Sequence, residues 1–160
     1  MYAFAGGIMI FAACSLVGFS AARMYRLRVG QLEAFLRLIK HIKAQIDYFR
    51  APLDSILEGY NDETLSGCGF LLAARELGVR EGFDSCRTRL VLTDDEADEL
   101  GRFFSGLGSR SADEEESGCG YYEKTLGAAL DKERAELAKR TKLCRTFGML
   151  AGVLLAVLLI

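Results

Sequence analysis

The sequence predicts an all-α protein, a helical bundle that lies between an apolar helix at each end of the chain. All 20 Lys and Arg residues and all 22 Asp and Glu residues fall between Arg23 and Arg145, so both ends lack charge. Between them, apolar residues recur three or four positions apart, and no alternating apolar run predicts a strand. The predicted organisation is a transmembrane helix at 2–22, a helical-bundle domain at 23–145 and a second transmembrane helix at 146–160.

The first apolar stretch, YAFAGGIMIFAACSLVGFSAA, is long enough to cross a bilayer. As a helix it would extend about 30 Å, the thickness of the hydrocarbon core. A secretory signal peptide is the competing interpretation, but signal peptides place basic residues before a shorter apolar core. Here the first charge, Arg23, follows the apolar run, which favours an uncleaved transmembrane helix.

The second apolar stretch, TFGMLAGVLLAVLLI, is shorter, about 22 Å as a helix, and this length would also suit a buried core helix. A helix that is apolar on every face is either deeply buried or lies in a membrane, and the long side chain of Arg145 can reach the interface. We therefore predict a second span. Gly148, Gly152 and Ala156 form a stripe of small residues that lets another helix approach closely, although this spacing also arises by chance.

Basic residues mark the side of each predicted span that faces the central domain. They are Arg23, Arg26, Arg28, Lys139, Arg140, Lys142 and Arg145. Basic residues beside membrane spans are enriched on the cytoplasmic side. We therefore expect a two-pass membrane protein whose central domain is cytoplasmic.

The central domain begins with the clearest amphipathic helix of the sequence, QLEAFLRLIKHIKAQIDYFR. Its apolar residues follow the spacing of one helix face: Leu32, Phe35, Leu36, Ile39, Ile42, Ile46 and Phe49. Pro52, the only proline, interrupts this helix and suits the first turn of the next one. The residues of that next helix expected to face inward are Leu53, Ile56, Leu57 and Tyr60.

Further helices are expected at 69–77, which a glycine ends, and at 83–92. The segment TDDE has the capping-box pattern, in which a Thr and a Glu three positions later satisfy backbone N–H groups at a helix start. Thr93 and Glu96 therefore open a helix that runs to about Leu107.

Ser111 and Glu114 repeat the capping-box pattern and open a last helix that can continue almost to the end of the chain. Acidic residues lie near its start and basic residues near its finish, as the helix dipole favours. Gly118, Gly120 and Gly127 weaken the prediction of an unbroken helix, because each costs about 1 kcal/mol relative to Ala in a helix interior.

Charge is zoned along the central domain. Residues 23–50 include seven basic and two acidic residues, 54–116 include six basic and sixteen acidic, and 123–145 include seven basic and four acidic. Basic segments beside the spans suit an anionic membrane surface. The acidic middle of the chain is expected to lie farther from the membrane.

Signatures of catalysis or of bound cofactors are scarce. His41 is the only histidine, and it has no Cys or carboxylate pair at ligand spacing. The acidic segment TDDEADEL lacks the alternating ligands and mid-loop glycine of an EF-hand, and no P-loop, dinucleotide-binding or serine-hydrolase motif occurs. The five cysteines form neither a disulfide framework nor a zinc pattern. We therefore predict a protein with no enzymatic activity, no cofactor, no metal and no nucleic-acid partner.

Four segments together resemble the stage III sporulation protein AB family, and the resemblance covers essentially the whole chain. They are AARMYRLR, QLEAFLRLIKHIKAQIDYFRAPLDSIL, LTDDEADELGRFFSGLG and KLCRTFGMLAGVLLAVLLI. The resemblance implies a component of the channel between mother cell and forespore in endospore-forming bacteria. It also implies a soluble domain similar to the cytoplasmic helical domains of type II secretion F proteins, and a secretion-type ATPase as partner.

The resulting hypothesis is a non-enzymatic assembly-platform component, located in the mother-cell membrane around the forespore. Its expected partners are the ATPase, the lipid bilayer, other membrane components of the channel and neighbouring copies of the chain. Because of the charge zoning, we expect the acidic zone to dock the ATPase or another basic cytosolic partner. The residues expected to dock it include Asp94, Asp95, Glu96, Asp98 and Glu99. A membrane-anchored adaptor or regulator unrelated to a channel is the alternative.

Overall fold

The computed structural model describes the backbone of residues 2–49, 53–108 and 112–159 and most of their side chains, with fewer near the two termini. The helices are α1 (Tyr2–Phe49), α2 (Leu53–Gly59), α3 (Glu63–Gly67), α4 (Phe70–Leu77), α5 (Val79–Cys86), α6 (Asp94–Gly106) and α7 (Ala112–Leu159), with a 3₁₀ turn at Arg87–Arg89. No strand occurs in these ranges. The predicted all-α fold class is confirmed.

The chain divides into two compact units. The central unit is Arg28–Asp131, and the terminal unit combines Met1–Leu27 with Lys132–Ile160. The central unit therefore includes α2 to α6 and the acidic residues within 94–99 predicted to dock a partner.

Four phenylalanine rings form the centre of the core of the central unit. Phe35 comes from α1, Phe70 from α4, Phe83 from α5 and Phe104 from α6, and each is at most 2% exposed. Every pair of these rings has its centroids between 5.2 and 6.3 Å apart, in edge-on or tilted contacts. Such geometries bring the positive edge of one ring to the negative face of another.

The amphipathic face predicted in α1 supplies much of this core. Leu32, Ile39 and Ile42 are at most 2% exposed, as the three-and-four spacing requires. α2, α4 and α6 also form close to where the sequence predicts them, and the capping box of α6 is present.

α3 was not predicted, and its start depends on Asp62. The Asp62 carboxylate accepts hydrogen bonds from the backbone N–H groups of Thr64 and Leu65, at 2.9 and 3.1 Å. Arg37 of α1 donates to the other oxygen of the same carboxylate at 2.7 Å. Burial by itself raises the pKa of Asp62, but the Arg37 and backbone hydrogen bonds outweigh it, so this pKa lies below its ordinary value.

The prediction of a helix at 83–92 is wrong at both ends, because α5 begins at Val79 and ends at Cys86. Gly78 takes a φ of +91°, which only glycine adopts without strain, and α5 can therefore begin directly after α4, at Val79. After the 3₁₀ turn the backbone is extended, because the N–H of Val91 donates to the buried side chain of Gln31 at 2.7 Å. The sequence pattern predicted that Gly78 ends α4, but it revealed neither the start of α5 directly after this glycine nor the bond to Gln31.

α7 is unbroken through the glycines that weakened its prediction. Cys119, Leu126 and Leu130 of this helix are at most 3% exposed, so one face packs into the core beside those glycines. Burial of an apolar face stabilises a helix more than intrinsic propensity does. Pro52 and Ser111, predicted to mark helix boundaries, lie outside the described residues.

Within the described part of the chain, no helix combines the length and the apolar character that crossing a membrane needs. The spans predicted at 2–22 and 146–160 stay predictions, and the side chains of 2–8 and 155–160 lie outside the described residues. The side chains of the small-residue stripe, Gly148, Gly152 and Ala156, also lie outside them.

α4 and α5 meet at Gly82, and replacing this residue with Ala tests the contact. A Cβ at Gly82 would lie 2.6 Å from the Cα and the N of Ala74, closer than real contacts allow. Alanine favours a helix by about 1 kcal/mol over glycine, but we expect the overlap to produce a net loss of about 1 to 3 kcal/mol. Amide hydrogen exchange of the full chain, read by mass spectrometry, should become faster in α4 and α5.

Gly101→Ala is the matched control in α6. A Cβ there has its nearest neighbour, Phe83 Cε1, at an ordinary 3.7 Å, so we expect unchanged or slower exchange. If the amides of α4 and α5 exchange equally slowly in Gly82→Ala and Gly101→Ala, the close approach of the two backbones at Gly82 is contradicted.

Candidate protein-interaction surface

The predicted docking residues lie in the first two turns of α6. Thr93 precedes the helix, and its hydroxyl accepts the N–H of Glu96, while the Glu96 carboxylate accepts the N–H of Thr93 at 2.9 Å. This reciprocal pair fixes the start of α6. Asp94 and Asp95 follow the cap directly and are exposed.

Glu96 faces the interior of the central unit, where Arg28 of α1 binds it. The Arg28 guanidinium donates to both carboxylate oxygens, at 3.0 and 2.8 Å, and the two side chains are only 17% and 10% exposed. Burial raises the pKa of Glu96, but the hydrogen bonds from Arg28 and Thr93 outweigh it, so this pKa lies below its ordinary value. Glu96 is therefore engaged within the central unit, and little of its carboxylate is open to a partner.

Asp98 and Glu99 also have arginine partners, but these ion pairs are at the surface. Asp98 pairs with Arg87 of the 3₁₀ turn, and Glu99 pairs with Arg102 one turn along α6 at 2.7 Å. In both pairs the arginine is substantially exposed, which limits the stabilisation by each pair to a fraction of about 1 kcal/mol. The side of α6 predicted to be acidic is therefore of mixed charge.

A groove between α5 and α6 continues this surface. It has a volume of about 390 Å³. Its charged lining residues are Arg80, Asp84, Arg87, Asp98 and Arg102. The rings of Phe83 and Phe104 also line the groove, so exposed charges of both signs lie next to the aromatic core. The docking prediction named only acidic residues and did not assign Arg80, Arg87 and Arg102 to this surface.

The basic residues predicted to orient the chain belong to two environments. Arg28 lies in the central unit, in its pair with Glu96. Arg23, Arg26, Lys139 and Lys142 are exposed in the terminal unit. The side chain of Arg145 lies outside the described residues.

Arg140 is held by three neighbours in the terminal unit. It donates to the carboxylates of Glu136 and Glu133, and its guanidinium lies over the ring of Tyr25, 5.7 Å from the centroid. The hydrogen bond to Glu136 is the main reason that the pKa of Arg140 is raised above its ordinary value. This guanidinium joins α7 to the part of α1 in the terminal unit.

His41 lies against the ring of Tyr60, with the ring centroids 4.9 Å apart. Among the described residues, no group of three His, Cys, Asp or Glu side chains could hold a metal ion. Cys68, Cys86 and Cys144 are free thiols, and burial raises the pKa of Cys68.

A family model described as stage III sporulation protein AB matches residues 3–160, nearly the full length of the chain. The chain belongs to the stage III sporulation protein AB family. The resemblance found in the sequence is thereby confirmed, and membership of the family implies a role in sporulation. Comparisons with curated proteins and with solved structures gave no match.

Replacing Glu96 with Gln tests whether this residue stabilises the central unit. The amide can still accept the Thr93 N–H but removes the charge that Arg28 binds, so we expect a loss of about 1 to 3 kcal/mol. Urea unfolding of the full chain in neutral detergent, followed by circular dichroism, measures this loss. Asp94→Asn is the matched control, because Asp94 is exposed in the same turn.

The same variant should also change the response to acid. Because folding lowers the pKa of Glu96, its stabilising effect is present above the ordinary pKa and is lost as pH falls through the lower folded value. The native protein should lose stability as pH falls from about 5 to about 3, and Glu96→Gln should lose less over that interval. Asp62 keeps its own contribution in both proteins. Identical pH dependence of the two proteins would refute the assigned role of Glu96.

Proposed function

We propose that the chain is a non-enzymatic structural component of the sporulation channel between mother cell and forespore. In this proposal it works with a secretion-type ATPase, and two terminal helices hold it in the mother-cell membrane with the central unit in the cytoplasm. Membership of the family supports the role in sporulation. The channel, the ATPase and the likeness to type II secretion F domains follow from the resemblance in the sequence.

The observation that carries membrane attachment is the exposure of large apolar side chains in the terminal unit. In α1, Met9 is 74%, Leu16 68% and Val17 71% exposed. In α7, Phe147 is 66% and Leu154 62% exposed. Soluble monomers rarely expose contiguous apolar patches of this kind, and each such side chain gains about 1.5 to 3 kcal/mol when it is buried. A bilayer would bury the side chains of both helices.

Docking of the ATPase is proposed for the exposed start of α6 and the mixed-charge groove beside it. Asp94 and Asp95 are exposed and lie in the first turn, whereas Glu96 is engaged with Arg28. A partner with a basic surface would be attracted by the two aspartates, and the groove would add charge pairs that fix its orientation.

Charge reversal of Asp94 and Asp95 to Lys should weaken the association. We expect a several-fold loss of ATPase captured by the full chain in a pull-down, and less salt dependence of what remains, because fewer opposite charges are paired. Glu63→Lys is the matched control, since Glu63 is an exposed acidic residue in the first turn of α3. Equal capture by the reversed and native proteins would exclude docking at the start of α6.

Deletion of the chain in its own endospore-forming host tests the role in the channel. A channel component should be needed once the forespore is engulfed, so sporulation should arrest at that stage while vegetative growth stays normal. Microscopy and counts of heat-resistant spores measure the arrest, and re-expression of the native chain should restore spores. Normal spore yield would contradict the proposal and favour the alternative, an adaptor unrelated to a channel.

A further inference from the structure

The terminal unit contains a cavity with an unusual balance of charge. Its volume is about 450 Å³. The residues that define its chemistry are Arg26, Arg134, Leu137, Thr141, Lys142 and Met149. Three of the described lining residues are basic and none is acidic. Convergent positive charges with no carboxylate among them favour an anionic ligand.

Thr141 provides a second, independent sign of a ligand. The residue is 7% exposed, and its buried hydroxyl has no hydrogen-bond partner among the described residues. The nearby hydroxyl of Thr146 donates to the carbonyl of Lys142 at 2.9 Å, as hydroxyls in helices commonly do. A buried hydroxyl without a partner is destabilising, so an acceptor atom bound in the cavity would satisfy Thr141.

We propose that this cavity binds the phosphate of an anionic phospholipid headgroup, an inference that rests on the membrane attachment proposed above. Arg26 and Lys142 contact the phosphate, Thr141 donates its hydroxyl to a phosphate oxygen, and Arg134 lies toward the far end of the headgroup. Each basic residue near an anionic membrane surface strengthens binding roughly fivefold.

The apolar end of the cavity identifies a lipid rather than a free anion. Met149 lines that end, about 12 Å from Thr141 along the axis of α7. Beyond it, Leu150 and Val153 are 60% and 51% exposed. A phospholipid whose phosphate binds at Thr141 would therefore place its acyl chains along this apolar surface. Inorganic phosphate would leave the same surface without a contact.

Fluorescence of a single introduced tryptophan can measure which lipid occupies the cavity, because the chain has no tryptophan of its own. Met149→Trp places the reporter at the cavity, and Met9→Trp places a reference at an exposed position of α1, about 25 Å from Arg26 along the helix axis. Each full-length variant is reconstituted in phosphatidylcholine vesicles that contain either brominated phosphatidylcholine or brominated phosphatidylglycerol. A brominated lipid quenches the fluorescence of a tryptophan that it contacts. We expect stronger quenching by phosphatidylglycerol at position 149 and equal quenching by both lipids at position 9.

Three changes in the Met149→Trp background identify the groups responsible. The double variant Arg26→Gln/Lys142→Gln should lose the preference for phosphatidylglycerol, because each removed charge weakens binding of the anionic lipid roughly fivefold. Thr141→Val should reduce the preference while leaving the unfolding midpoint in phosphatidylcholine unchanged or raised, because it removes an unsatisfied hydroxyl. Lys139→Gln is the control, an exposed basic residue of the same helix that does not line the cavity. It should leave the preference intact.

Three outcomes would overturn the inference. Equal quenching by both lipids at position 149 would exclude headgroup binding while membrane attachment stands. Loss of the preference on addition of inorganic phosphate, at constant ionic strength, would assign the cavity to a free anion. Failure of the full chain to incorporate into vesicles of either composition would refute membrane attachment itself.

Discussion

The packing of the central unit depends on the cluster of four phenylalanine rings. Each ring comes from a different helix, and every ring contacts the other three. The cluster therefore fixes α1, α4, α5 and α6 together, although α4 and α5 have only eight residues each. Helices that short are not stable alone in water, so they exist here because Phe70 and Phe83 are buried against the longer helices.

Two carboxylates connect the starts of α3 and α6 to α1, and both do so by binding an arginine. Asp62 and Glu96 each satisfy backbone N–H groups at a helix start and each bind an arginine of α1, Arg37 and Arg28 respectively. The two arginines are nine residues apart, which places them on opposite sides of α1, about 180° around its axis. α1 is thus held from two sides. Using Glu96 in this way leaves Asp94 and Asp95 as the exposed charges at the start of α6.

Local patterns predicted α2, α4, α6 and the buried face of α1, but not α3 or the bounds of α5, and contacts between distant parts of the chain were not predictable from them. The buried face of α1 and the cap of α6 depend on spacing within a few residues, and both were predicted. The extended backbone after the 3₁₀ turn depends on the bond between Gln31 and Val91, 60 residues apart. The role of Glu96 depends on Arg28, 68 residues away. The docking prediction counted Glu96 as a surface charge because a pattern of charges does not reveal such a partner.

The contact at Gly82 limits how this part of the sequence can change during evolution. Most tight contacts in a core can be relieved by a smaller side chain on the opposite side. Here the atoms that a side chain at position 82 would meet are the Cα and N of Ala74 and the carbonyl carbon of Ala73, which every amino acid has. No substitution at position 74 can therefore compensate for a larger residue at position 82. Relatives that keep this helix crossing should keep the glycine whatever residue faces it, and its loss should accompany a shift of a whole helix.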